Sequence, residues 1–158
     1  MKIDTLLCTT PEQSRRLLKL GLRPETADCT WVSEIKDYSG EEILEESRNY
    51  IFYPEWSEDV KQEGMGVTEN LPAWSLLQLT RICPPRLVGG FTKDSKRSYD
   101  LIISFIEPAV SYIDKDGIGD EESVIALFID SKDIYNNMIS CIEWLIKGNF
   151  INKTLLNL

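Results

Sequence analysis

Five carboxylates crowd into one short stretch of this chain: Asp114, Asp116, Asp120, Glu121 and Glu122, spaced by Gly117 and Gly119. Hard cations take sets of carboxylate and carbonyl oxygens, so Asp114, Asp116 and Asp120 are candidate ligands for calcium or magnesium. An EF-hand does not fit. Counting from Asp114 as the first loop position, Ile118 falls at the fifth and Ile125 at the twelfth, where that loop needs oxygen ligands. Asp and Gly are also the residues that tight turns select, so the stretch reads equally as a turn between strands.

A second group is basic. Arg86, Lys93, Lys96 and Arg97 surround Phe91 and precede Tyr99, the interleaving of cations and rings that a single-stranded nucleic acid can stack on. A third is aromatic and sits in acidic surroundings: Tyr50, Phe52, Tyr53 and Trp56 lie within residues 33–70, which carry eleven acidic and three basic side chains. Such a surface suits a basic protein partner, and association would be faster at low salt.

The chain has no histidine, which removes serine–histidine and cysteine–histidine nucleophilic sites, histidine-ligated zinc sites and the histidine-containing deaminase site. There is no phosphate loop, and Gly64-Met65-Gly66 and Gly117-Ile118-Gly119 lack the third glycine of a dinucleotide fingerprint. Carboxylates could pair as general acid and base, but sequence does not place them. Cys8, Cys29, Cys83 and Cys141 are scattered without a Cys-x-x-Cys pair, as expected of reduced thiols in a cytoplasm. Net charge is −9, which disfavours non-specific contact with nucleic acid or anionic membranes.

The elements that must hold these groups read as one α+β domain over residues 1–158. The expected architecture is a small antiparallel sheet of about three strands, packed against helices, with a long C-terminal amphipathic helix across it. Thr10-Pro11-Glu12-Gln13 is a helix start with a capping box, and Gly21 ends that helix. Cys29 to Glu34 reads as a strand. Ser39 to Ile51 has capping-box spacing and a helical face of Ile43, Leu44, Ser47, Tyr50 and Ile51, whereas residues 54–70 show no period and read as a mobile acidic loop. Pro72 suits the first position of a short helix with Leu76, Leu77, Leu79 and Ile82 inward, stopped by Pro84-Pro85. Runs at Tyr99–Glu107, Val110–Asp114 and Val124–Ile129 are strands. From Ser131, with Ser131 and Asp133 as cap and first-turn carboxylate, Ile134, Met138, Cys141, Ile142, Leu145 and Ile146 mark one helical face that Gly148 closes. Trp74 and Trp144 are read as packing anchors.

Glu12-Gln13-Ser14 with Leu20-Gly21-Leu22 and Pro24-Glu25-Thr26-Ala27-Asp28, then Leu71-Pro72-Ala73-Trp74-Ser75-Leu76, then Trp144-Leu145 before Gly148, resembles small proteins encoded by bacterial phages and integrated mobile elements. The resemblance implies a setting, the bacterial cytoplasm and genes that travel with mobile DNA, and carries no activity or site residues. The reading is therefore a non-enzymatic interaction or accessory protein, with a homo-oligomer open. The alternatives are a divalent-metal-dependent enzyme on the Asp114–Glu122 carboxylates and a single-stranded nucleic-acid binder on the basic loop.

Overall fold

The computed structural model describes residues 8–34, 49–54, 67–89, 97–114, 116 and 123–157. The fold is α+β, with two antiparallel sheets where one was expected. The first has order β2-β1-β3, from β1 (Cys29–Glu34), β2 (Asn49–Pro54) and β3 (Val67–Ala73). The second has order β4-β5-β6-β7, from β4 (Arg86–Val88), β5 (Ser98–Ser104), β6 (Ala109–Ile113) and β7 (Val124–Phe128). The three runs read from the sequence are the last three strands of this second sheet. The β4 strand is too short to show a period of its own. Among the described residues three α-helices accompany the sheets: α1 (Pro11–Lys19), α2 (Leu76–Ile82) and α3 (Ile134–Lys147).

Local chemistry explains α1 completely. Thr10 accepts from the Gln13 amide while the Gln13 side chain accepts from the Thr10 amide, the reciprocal box the sequence signals. At the other end Gly21 takes φ 93°, and the amides of Gly21 and Leu22 bond the carbonyls of Leu18 and Leu17. Leu17 is fully buried.

The third helix lies against β6 and β7 and buries Met138, Ile139, Cys141, Ile142 and Leu145. Val110, Tyr112 and Ala126 come from the sheet to meet them in one core. Two details at its ends differ from expectation. Asp133, not Ser131, is the N-cap, accepting from the Tyr135 amide, while the Ser131 hydroxyl accepts from the Asp133 amide. Gly148 stays right-handed at φ −81°, and the left-handed residue is Asn149 at φ 58°. The amides of Asn149 and Phe150 then close onto the carbonyls of Ile146 and Leu145. Gly148 is required for space: a Cβ there would collide with the Phe150 ring, which packs 5.3 Å from Trp144 between centroids. Gly148→Ala is expected to destabilise by about 2 kcal/mol, as overpacking does, while Asn149→Gly is neutral or better; urea midpoints of the two variants check this.

The second helix corrects the reading at Pro72. That proline sits inside β3, opposite Thr30, and α2 begins four residues later at Leu76, with the N-cap Ser75 accepting from the Gln78 amide. An edge strand tolerates proline, since its missing N–H can face away from the ladder. Leu77, expected inward, is 60% exposed, while Leu79 and Ile82 are buried. Residues 49–51, read as the end of a helix, pair with β1 as a strand, and of the residues read as loop Pro54 ends β2 and residues 67–70 begin β3. The remainder of both readings, residues 39–48 and 55–66, lies outside the described residues.

Buried polar atoms stitch the elements together. Thr9 is fully buried; its hydroxyl meets that of Ser14 at 2.8 Å and accepts from the Trp74 amide at 3.0 Å, and its carbonyl accepts from the Trp31 indole at 2.8 Å. Gln13 reaches from α1 to Asp133 and Asn136 at the start of α3. Leu22 bridges to Leu156, so the chain returns beside the end of its first helix.

Candidate functional site

Three of the residues singled out for chemistry, Arg86, Arg97 and Asp114, lie at one end of the second sheet, each beside an opposite charge. Arg86 on β4 lies in register with Asp100 on β5, and its guanidinium donates to both carboxylate oxygens at 2.6 and 3.2 Å. Such a fork holds Asp100 in a fixed geometry and favours the charged guanidinium. Arg97, just before β5, faces Asp114, just after β6, at 4.0 Å. Asp114 is buried, and its other oxygen accepts from the Asp116 amide at 3.0 Å, while its own amide donates to Ser123. This is an Asx-turn, the local bond that makes Asp a turn residue.

Two of the groups read from the sequence are therefore one. Arg97, assigned to a nucleic-acid platform, faces Asp114, assigned to a metal site, while Arg86 of the same basic group is held by Asp100 on the strand beside it. Lys93, Lys96 and Asp120 lie outside the described residues, as does Trp56. Among the described residues no three metal-ligating side chains converge. Asp116 is exposed. Tyr50, Phe52 and Tyr53 all fall on β2, an edge of the first sheet among the described residues, with Tyr50 in register with Ser33, Phe52 with Trp31 and Tyr53 with Thr30.

Sequence reasoning missed two features. One is a cleft of 540 Å³ between the end of α2 and the segment after α3, lined by Arg81, Cys83, Pro85, Phe150, Ile151 and Leu155 among others. Arg81 is the one charged residue among its lining. Its walls come from segments distant in the chain, so no local pattern could signal it. The other is Asn137, buried in α3, whose amide donates at 2.8 Å to the carbonyls of both Pro108 and Ser131 and whose oxygen accepts from the Ser131 amide at 3.1 Å. Its partners are all backbone, which leaves no trace in side-chain spacing.

All four cysteines are buried thiols. The Cys141 thiol is hydrogen-bonded to Cys83, and that bond together with burial pushes its pKa far above the ordinary thiol range. Burial likewise raises Tyr135, to about 12. Since the thiolate is the reactive form, native protein near pH 8 should react with a thiol reagent at well under one equivalent, and the full set should react only in denaturant. Absorbance of the released chromophore measures this directly; rapid labelling of Cys83 would show that the cleft opens to it.

On the exposed side of the helices, Glu143 bonds Lys147 at 2.7 Å and Arg16 at 2.8 Å, and these cations hold its carboxyl below the usual range. The effect on stability is small, because the groups are solvated. No helix among the described residues is long and apolar enough to cross a membrane. Compared with protein-family models, with curated proteins and with solved structures, the chain matches none of them.

Proposed function

We propose that this chain is a non-enzymatic protein-interaction or accessory protein of a bacterial phage or mobile element, working in the cytoplasm. The observation that carries the reading is the position of Tyr50, Phe52 and Tyr53 on the edge strand β2, within a segment that carries eleven acidic side chains against three basic ones. An edge strand offers unpaired backbone donors and acceptors to an incoming chain, and acidic surroundings select a basic one. The phage-like patches at Glu12–Ser14, Pro24–Asp28 and Leu71–Leu76 support the setting.

The test is capture from bacterial lysate by immobilised protein, with quantitative mass spectrometry. Basic proteins should be retained at low ionic strength, released at about 0.5 M salt, where charges are screened beyond roughly 4–5 Å, and lost with Phe52→Lys. Retention that ignores both salt and that substitution would sink the reading.

The alternative is a divalent-metal-dependent enzyme using Asp114, Asp116 and Asp120. It has less support, because a cation at this turn would compete with the Arg97 guanidinium and with the Asp116 amide for the oxygens of Asp114. Thermal melts with millimolar calcium, magnesium and manganese separate the two. A ligand at a hundred times its Kd adds about 2.7 kcal/mol, so a bound metal gives an unmistakable rise. The interaction reading expects none, and a rise abolished by Asp114→Asn would establish the metal site. A nucleic-acid platform comes third, since Arg86 and Arg97 already face Asp100 and Asp114.

A further inference from the structure

Turns between strands select polar residues, yet the turn that joins β5 to β6 is Phe105-Ile106-Glu107-Pro108. Phe105 is 65% exposed and Ile106 98%. Single exposed apolar side chains are ordinary on a protein surface, but two neighbours at the tip of a hairpin make a projecting apolar point. It is also a fixed one. The Pro108 carbonyl accepts from the side-chain amide of Asn137, which is buried in α3, so docking the tip costs little ordering of its backbone. Glu107, exposed beside the apolar pair, carries the one charge of the turn.

The cleft between the end of α2 and the segment after α3 matches this point in size, polarity and charge. Ligand sites of about 300–1000 Å³ take molecules larger than two side chains, so its 540 Å³ has room for Phe105 and Ile106 together. Ile82, Pro84, Pro85, Phe150 and Leu155 make its walls apolar, and its one charged residue is the exposed Arg81. An apolar pair with one carboxylate is the complement of apolar walls with one guanidinium. A chain does not fill its own cleft with its own tip. The tip stands beside the first turn of α3 and the cleft beyond its last, and the 14 residues of that helix span about 21 Å.

We infer that the chain self-associates head to tail, with the β5–β6 tip of one copy seated in the cleft of the next and Glu107 of the first against Arg81 of the second. A tip at one end and a cleft at the other make the contact heterologous, so a pair of copies still offers one of each and assembly continues past the dimer. Neither β2 nor the acidic segment takes part. This association therefore stands apart from the capture of a basic protein.

Sedimentation of the full chain from micromolar to millimolar concentration, at constant salt, tests it. The mass should climb from that of one chain to beyond that of two. Ile106→Asp should weaken association at least about tenfold, the loss for leaving an isoleucine side chain out of apolar contact. Arg81→Glu and Glu107→Arg should each weaken it about fivefold by setting like charges together, and both in one chain should restore it. All three positions are exposed, so the variants should keep the wild-type circular dichroism and melting temperature. A wild-type chain that is monomeric throughout overturns the inference, whether or not any variant folds. So does association that Ile106→Asp leaves intact, or a double charge reversal that associates no better than either single one.

Discussion

Trp74→Ala should lower the stability of this protein by about 4 kcal/mol, the range for a large buried aromatic cut back to a methyl group. The ring is fully buried, in the same core as Leu79, Ile82, Tyr135 and Met138. Its indole N–H donates to the Thr26 hydroxyl at 2.9 Å, so truncation leaves that hydroxyl facing a void as well. The backbone at this position bonds Thr9 in both directions, which fixes where the cavity forms and limits collapse into it. Trp144→Ala should cost less, about 2–3 kcal/mol, because Trp144 is only partly buried although it touches Tyr112, Phe128 and Phe150. Equilibrium urea unfolding of both variants gives the order; a larger loss at Trp144 would show that its aromatic cluster, not the ring beneath β3, anchors the core.

Asn137→Asp should be nearly as damaging near neutral pH, by about 3 kcal/mol, and much less so near pH 4. The wild-type amide gives two hydrogens to the carbonyls of Pro108 and Ser131, and a carboxylate would point negative charge at both. Folding then favours the protonated acid, so the folded pKa rises above the unfolded one. Below the unfolded value both states hold the proton and little is lost on that account; as pH climbs toward the folded value the penalty grows. Asn137→Ala removes the same bonds without adding charge, and its cost should be flat across that range. Urea midpoints at several pH values distinguish the two. A flat Asn137→Asp profile would show that water reaches the site and solvates the carboxylate.

The contrast between these two residues shows what the sequence can carry. Trp74 was recognisable as an anchor from its type and its apolar surroundings, although the helix expected to hold it starts only at Leu76. The first helix and the third were legible because their signals are local: a capping box at Thr10 and Gln13, a glycine after each end, leucine and isoleucine at helical spacing. The segments that misled were those whose partners are far away in the chain. Asn49 to Ile51 closes a helical spacing that starts at Ile43, yet pairing with β1 makes these residues part of a strand, and tertiary pairing outranks propensity. Pro72 fits a helix start and an edge strand equally well, and only its register with Thr30 decides. At the charged end the residue types were legible but not their pairings. Arg97 precedes β5 and Asp114 follows β6, and without the ladder between those strands nothing in the sequence says that they meet. Asn137 was invisible for a related reason, since a side chain that serves the backbone alone has no side-chain partner to betray it.

The return of the chain to its own beginning has a consequence for synthesis on the ribosome. The backbone after Gly21 is completed by Leu155, Leu156 and Asn157, through the Arg23 amide to the Leu155 carbonyl and the Asn157 amide to the Gly21 carbonyl. Gln13 and Arg16 find their partners on the third helix. The first helix therefore emerges before part of what buries it exists: Leu18 can pack against Trp31, Leu71 and Ala73 of the first sheet, but the third-helix side of the core around Leu17 comes much later in the chain. A nascent chain paused before Asp133 is the form of this protein most in need of a chaperone.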